Sequence, residues 1–120
     1  MLEIRHDSFR NPDFIKLLRR HHIALVVADT VEWPLLMDAS ADFVYVRLHG
    51  SVKLYTSGYD AKALNLWARH IRAWTKGTEA SGPHVGPKAR PRRRNVYVYF
   101  DNDAKVRAPF DAKNLIARLG

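Results

Sequence analysis

Phe43-Val44-Tyr45-Val46-Arg47-Leu48-His49-Gly50 decides how this chain is read. Successive side chains on a strand point to opposite faces. Val44, Val46 and Leu48 therefore form one apolar face, and Tyr45, Arg47 and His49 form a polar one. An apolar face alone would be an ordinary core. Three polar groups on the other face of a β-branched strand that ends in Gly point to a lined cavity. The alternation recurs at residues 96–101, where Tyr97, Tyr99 and Asp101 share a face. It recurs near the start, where Glu3 and Arg5 share a face between Leu2, Ile4 and His6. Three strands with matched polar faces predict one shared site.

Outward from that stretch, the order reads strand, helix, strand, connection, strand, helix, strand, helix. The first strand is expected at residues 2–6. Asn11-Pro12 supplies an N-cap with Pro at the first helical position. Phe14, Leu17 and Leu18 follow at helical spacing, with Arg19, Arg20 and His21 in the last turn, where cations suit the helix dipole. Residues 23–29 form a continuous apolar run ending in a carboxylate, as in a strand buried on both faces. Trp33-Pro34 breaks any helix before the third strand. Asp60 caps a helix whose stripe holds Leu64, Trp67, Ala68, Ile71 and Trp74, and the two Trp side chains read as core packing. The fourth strand spans residues 95–100. A last helix from about residue 111 carries Leu115, Ile116 and Leu119. Strands alternating with helices predict an α/β fold with a parallel sheet. Polar groups gather toward the C-terminal strand ends, where parallel α/β folds place their ligands. The sequence has no Gly-rich phosphate loop, which disfavours a dinucleotide fold.

The 120 residues suffice for one domain with a modest core. With no Cys, disulfides and thiolate metal sites are excluded. The longest apolar stretches are too short to span a membrane, and no signal peptide is visible at the start, so a cytoplasmic protein is expected. The net charge of +8 is concentrated: residues 76–95 hold Lys76, Lys88, Arg90, Arg92, Arg93 and Arg94 against Glu79. That segment, which also has three Gly and three Pro, reads as a mobile basic loop within the domain. His21-His22 reads as a solvated helix end.

Several motifs in order carry a resemblance. Residues 3–6 (EIRH), 24–30 (ALVVADT), 42–50 (DFVYVRLHG) and 96–103 (VYVYFDND) resemble domain-of-unknown-function family 72, also called YecE-like. Lys53-Leu54-Tyr55 and Gly58-Tyr59 fit as well. The resemblance implies a TIM-like (β/α)8 barrel, of which this chain, residues 1–120, resembles the C-terminal half, strands five to eight. It implies that site residues from the N-terminal half are absent here. The stretch from Thr78 to Arg94 looks longer and more basic than the family's usual connection. The resemblance brings no established activity and names no cofactor.

The candidate catalytic groups are His49, Asp29, Asp101 and Glu3, able to act as acid, base or metal ligand. The candidate ligand-binding groups are Arg5 and Arg47, whose guanidinium forks suit phosphate or carboxylate, with Tyr59 and Asn102 closing from loops. No metal motif of the HExxH type is present. The competing expectation is a buried ion network filling the barrel, Glu3 with Arg5 and Arg47 with Asp29 or Asp101. Two function classes follow: a barrel site for an anionic, phosphate-bearing ligand, and nucleic-acid binding through the basic loop. An inactive truncated gene product is the third. The expected partners are an anionic small molecule, and a second copy or a separate N-terminal half to cover the open sheet.

Overall fold

The computed structural model of the protein describes residues 1–30, 35–50, 59–100 and 108–119. A 3-10 turn at Asp7–Phe9 leads into helix α1 (Pro12–Arg20). Strand β1 (Val26–Thr30), strand β2 (Phe43–Gly50), helix α2 (Ala61–Lys76), strand β3 (Asn95–Phe100) and helix α3 (Ala108–Leu119) follow. The three strands are parallel, in the order β1-β2-β3. The third- and fourth-strand expectations match β2 and β3 residue for residue.

Two expected elements are shorter than read. The first strand reduces to one parallel bridge, Leu2 to Leu25, held by Leu2 N–H to the Ala24 carbonyl (2.8 Å) and Val26 N–H to the Leu2 carbonyl (2.8 Å). The chain then turns away, because the His6 imidazole accepts from Ser8 N–H (3.1 Å) and starts the 3-10 turn. The second strand begins at Val26 rather than Ile23.

The helices form where their caps predict. Asn11 Oδ1 accepts from Asp13 N–H at 2.8 Å, and Pro12 occupies the first turn. Asp60 Oδ1 accepts from Ala63 N–H at 2.7 Å. Helix α2 ends at Gly77, whose φ of 97° is left-handed, and an added Cβ there would lie 2.9 Å from the Arg92 backbone. Helix faces differ in detail from the sequence reading. In α1 the buried pair is Ile15 and Leu18 while Leu17 is exposed; in α3 Leu115 is buried and Ile116 is exposed. One residue's step turns a side chain by about 100°, enough to reverse its fate.

The main core lies between one sheet face and helices α2 and α3. Val27, Val46 and Leu48 meet Leu64, Trp67, Ile71, Trp74 and Leu115 there. A smaller core of Ile4, Ile15, Leu18, Leu25 and Leu36 fastens α1 and the N-terminal segment. Among the described residues no helix is long and apolar enough to cross a membrane.

The long segment after α2, expected to be mobile, is anchored. The buried Asp38 carboxylate accepts from Val85 N–H (3.0 Å) and Gly86 N–H (2.9 Å). Met37 N–H donates to the Pro83 carbonyl (2.7 Å), Ala89 N–H to Glu79 Oε1 (2.7 Å), and Arg19 Nη1 to the Pro87 carbonyl (2.7 Å). Composition suggested mobility because Gly, Pro and charge offer no apolar periodicity. The anchors are instead polar, and their partners lie far away in sequence.

Candidate functional site

The site begins with register. In the parallel ladder Tyr45 stands beside Val26 and Tyr97, and Arg47 stands beside Ala28 and Tyr99. Laterally paired residues share a face, so these six side chains tile the face opposite the helices. Tyr97 and Tyr99 are more than half exposed, while Arg47 and His49 are half-buried.

Glu3 reaches this face from the N-terminal segment. Its Oε1 accepts from Arg47 Nη1 at 2.7 Å, and its Oε2 accepts from Arg5 Nη2 at 3.2 Å. One carboxylate therefore meets two guanidiniums. Ala28 stands between Arg47 and the N-terminal segment and presents only a methyl group, which leaves room for the bond to form across β1. The cluster floors a recess of about 310 Å³ lined by Met1, Glu3, Arg5, Tyr45, Arg47 and Tyr99. His49 lies two residues beyond Arg47 along β2, where the register with β1 shifts between Asp29 and Thr30.

Asp29 and Tyr59 belong elsewhere. Asp29 pairs with Leu48, which has the parity of the helix-covered face. Its Oδ2 accepts from the Tyr59 hydroxyl at 2.8 Å. Tyr59 is buried in the main core, edge-on to Phe100 with ring centres 5.6 Å apart, and its N–H donates to Asp111 Oδ2 at 3.0 Å. Tyr59 is thus a clamp between β1 and α3 rather than a lid over the polar face. Asp29 does not sit on the face that carries Arg47 and His49. Asp101 and Asn102 lie outside the described residues.

The structure thus brings together Glu3, Arg5 and Arg47, leaves His49 farther along β2, and separates Asp29 and Tyr59 from them. Of the expected ion network it contains the Glu3–Arg5 half, and Arg47 bonds Glu3 rather than Asp29. The alternation with Val44 and Val98 placed Tyr45 and Tyr99 on the polar face, and the structure makes them walls of the recess, although they were not among the expected ligand-binding residues. Sequence reasoning missed Asp111 as the buried acceptor behind Tyr59, for which no local pattern exists. Among the described residues no three His, Asp or Glu side chains gather as a metal site would require.

Comparison with known proteins places this geometry. A family model described as Protein of unknown function DUF72 matches residues 1–120. Among solved structures, a DUF72 family protein from Thermotoga maritima is similar at 21% identity with a TM-score of 0.74, covering 96% of this chain and 44% of that one. A DUF72 family protein from Enterococcus faecalis is similar at 16% identity with a TM-score of 0.72, covering 98% of this chain and 47% of that one. The chain spans about half the length of these solved relatives. No curated protein matches.

Proposed function

The chain belongs to the DUF72 family, and from that premise we propose that it supplies one wall of a barrel site that binds an anionic, phosphate-bearing ligand on the polar sheet face. The observation that carries the reading is the sharing of the Glu3 carboxylate by Arg47 and Arg5 at the floor of a recess. Two guanidiniums converge on one carboxylate beside two aromatic walls, and guanidinium forks match phosphate oxygens. Glu3 holds the Arg47 side chain in a defined position, which reduces the ordering that a ligand must impose.

His49 stands next along the same strand as the candidate proton carrier. Asp29 has no part in this proposal, because its carboxylate faces Tyr59. The rest of the wall comes from a second set of βα units, since the solved relatives contain about as much chain again. Those units come from an N-terminal half or from a second copy of this chain.

Thermal melts of the parent and of Arg47→Met, with and without a panel of sugar phosphates, test the proposal. The parent is expected to gain stability with at least one phosphate ester, and the variant to lose that gain while remaining folded. An equal ligand response in parent and variant would remove Arg47 from the site.

A further inference from the structure

The opposite end of the sheet holds a second basic feature. His22 ends the turn before β1, Asp42 precedes β2, and Arg94 directly precedes β3, so the cleft they line lies at the N-terminal strand ends. It has a volume of about 350 Å³. Arg19, Arg90, Arg92 and Arg94 also line it, so four guanidiniums face one lining carboxylate, that of Asp42.

Two of the arginines are held in place without an ion pair among the described residues. Arg94 is 7% exposed. Its Nε donates to the Ala41 carbonyl (2.9 Å), Nη1 to the Arg92 carbonyl (3.2 Å) and Nη2 to the Arg90 carbonyl (3.1 Å). Arg19 donates through Nε to the Ala39 carbonyl (3.1 Å) and through Nη1 to the Pro87 carbonyl (2.7 Å). Its Nη2 is buried with no hydrogen-bond partner. Every one of these acceptors is a neutral carbonyl. Neutral acceptors satisfy the N–H groups but not the charge, and a buried charge is costly unless it is paired. Burial, with Arg92 and Arg19 beside it, pushes the Arg94 guanidinium below its ordinary pKa; Glu79 offsets part of this.

We propose that this cleft is an anion site for a phosphate group, bound between the fixed Arg19 and Arg94 and closed by the exposed Arg90 and Arg92. The fixed pair supplies preorganised charge. The exposed pair, being long and flexible, can swing to admit the anion and then bond it. A phosphate has enough oxygens to accept from several guanidiniums at once. The crowded positive charge is the feature such a ligand relieves. The phosphate can belong to a small molecule or to a nucleic-acid backbone, and the two sources are separable.

The test uses the full chain and two variants chosen to fold. Arg92→Gln alters an exposed side chain, and Lys113→Gln removes an equal charge from an exposed position on α3, outside both recesses, and serves as the control. The first arm is thermal melting in inorganic phosphate against sodium chloride at equal ionic strength, which removes general screening. The second arm is binding of a fluorescent single-stranded oligonucleotide. A phosphate-specific rise in Tm that weakens about tenfold in apparent affinity in Arg92→Gln, but not in Lys113→Gln, supports a site for free phosphate. Oligonucleotide binding that weakens in Arg92→Gln but not in Lys113→Gln, without a response to inorganic phosphate, supports the same site with a backbone phosphate. No response in either arm, or responses equal in Arg92→Gln and parent, overturns the proposal.

Discussion

Replacing Arg47 by Met separates a ligand site from a structural ion network, because the two assign different costs to one change. The side chains of Arg47 and Glu3 are 25% and 18% exposed, and their bond is 2.7 Å long. A fully exposed pair contributes about 0–1 kcal/mol, and breaking a fully buried one costs about 3–5 kcal/mol. The larger figure arises when the surviving charge is stranded. Here Glu3 keeps Arg5 at 3.2 Å, and the Arg5 side chain is 60% exposed, so the carboxylate retains both a cation and nearby water. Met also preserves much of the apolar stem that Arg47 lays across Ala28. The expected loss is therefore about 1–2 kcal/mol, or a fall in Tm of about 4–8 °C. A site ligand at about 100 times its Kd would stabilise the parent by about 2.7 kcal/mol, and that gain should vanish in the variant. Urea denaturation measures the first quantity, and melts with phosphate esters measure the second. A loss above about 3 kcal/mol with no ligand response in the parent would refute the reasoning and make the cluster a structural brace.

Three further outcomes follow from other parts of the fold. Asp38→Ala orphans the Val85 and Gly86 N–H groups and should cost about 3 kcal/mol; unchanged hydrogen-exchange protection at those two amides would contradict the anchoring of the long loop. His70 is buried between Trp67 (ring centres 5.0 Å) and Trp74 (6.2 Å), and burial first, then Arg69 and His84, lowers its pKa below 6.5. Because the unfolded chain binds that proton more readily, His70's contribution is intact above about pH 6.5 and is lost as pH falls toward the folded value; urea midpoints should decline over that window and decline less in His70→Gln. The polar face, with Tyr97 and Tyr99 at 53% and 56% exposure, should drive self-association, so sedimentation of the isolated chain should depend on concentration in the micromolar range. A concentration-independent, cooperatively melting monomer would count against a partner on that face.

What the sequence disclosed depended on how locally each feature is encoded. Strands β2 and β3 were legible to the residue because alternation of Val with Tyr or Arg is a nearest-neighbour property, and parallel register then carries the polar face from strand to strand. The caps at Asn11 and Asp60 were legible because the donor lies two or three residues from the acceptor. The N-terminal strand was not. Its alternation is sound through Ile4, but the His6–Ser8 contact turns the chain before a ladder can form. Asp29 shows the same limit on the site side. It ends an apolar run at the right height, yet its register with Leu48 gives it the other face. Parity, not position along the strand, decides which cavity a side chain enters.

The same reasoning explains how one short sheet presents two separate basic features. A parallel sheet sends every strand in one direction, so residues that precede strands collect at one end and residues late in strands collect at the other. Arg94 and Arg47 are both half a strand or less from a loop, but on opposite sides of the ladder's midpoint. Arg94 is fixed by carbonyls of the two segments that enter β2 and β3, so its position is set by the strand starts themselves. Arg47 is fixed by Glu3, a residue outside the continuous ladder that is joined to it through the single Leu2–Leu25 bridge. Loosening that bridge would move Glu3 and release Arg47 without disturbing Arg94. A Leu2→Pro substitution, which removes the Leu2 N–H donor to the Ala24 carbonyl (2.8 Å) on which the bridge depends, should therefore weaken ligand responses at the polar face far more than those at the basic cleft. Equal losses at both ends would mean that the sheet behaves as one unit and that the N-terminal segment has no separate control over the site.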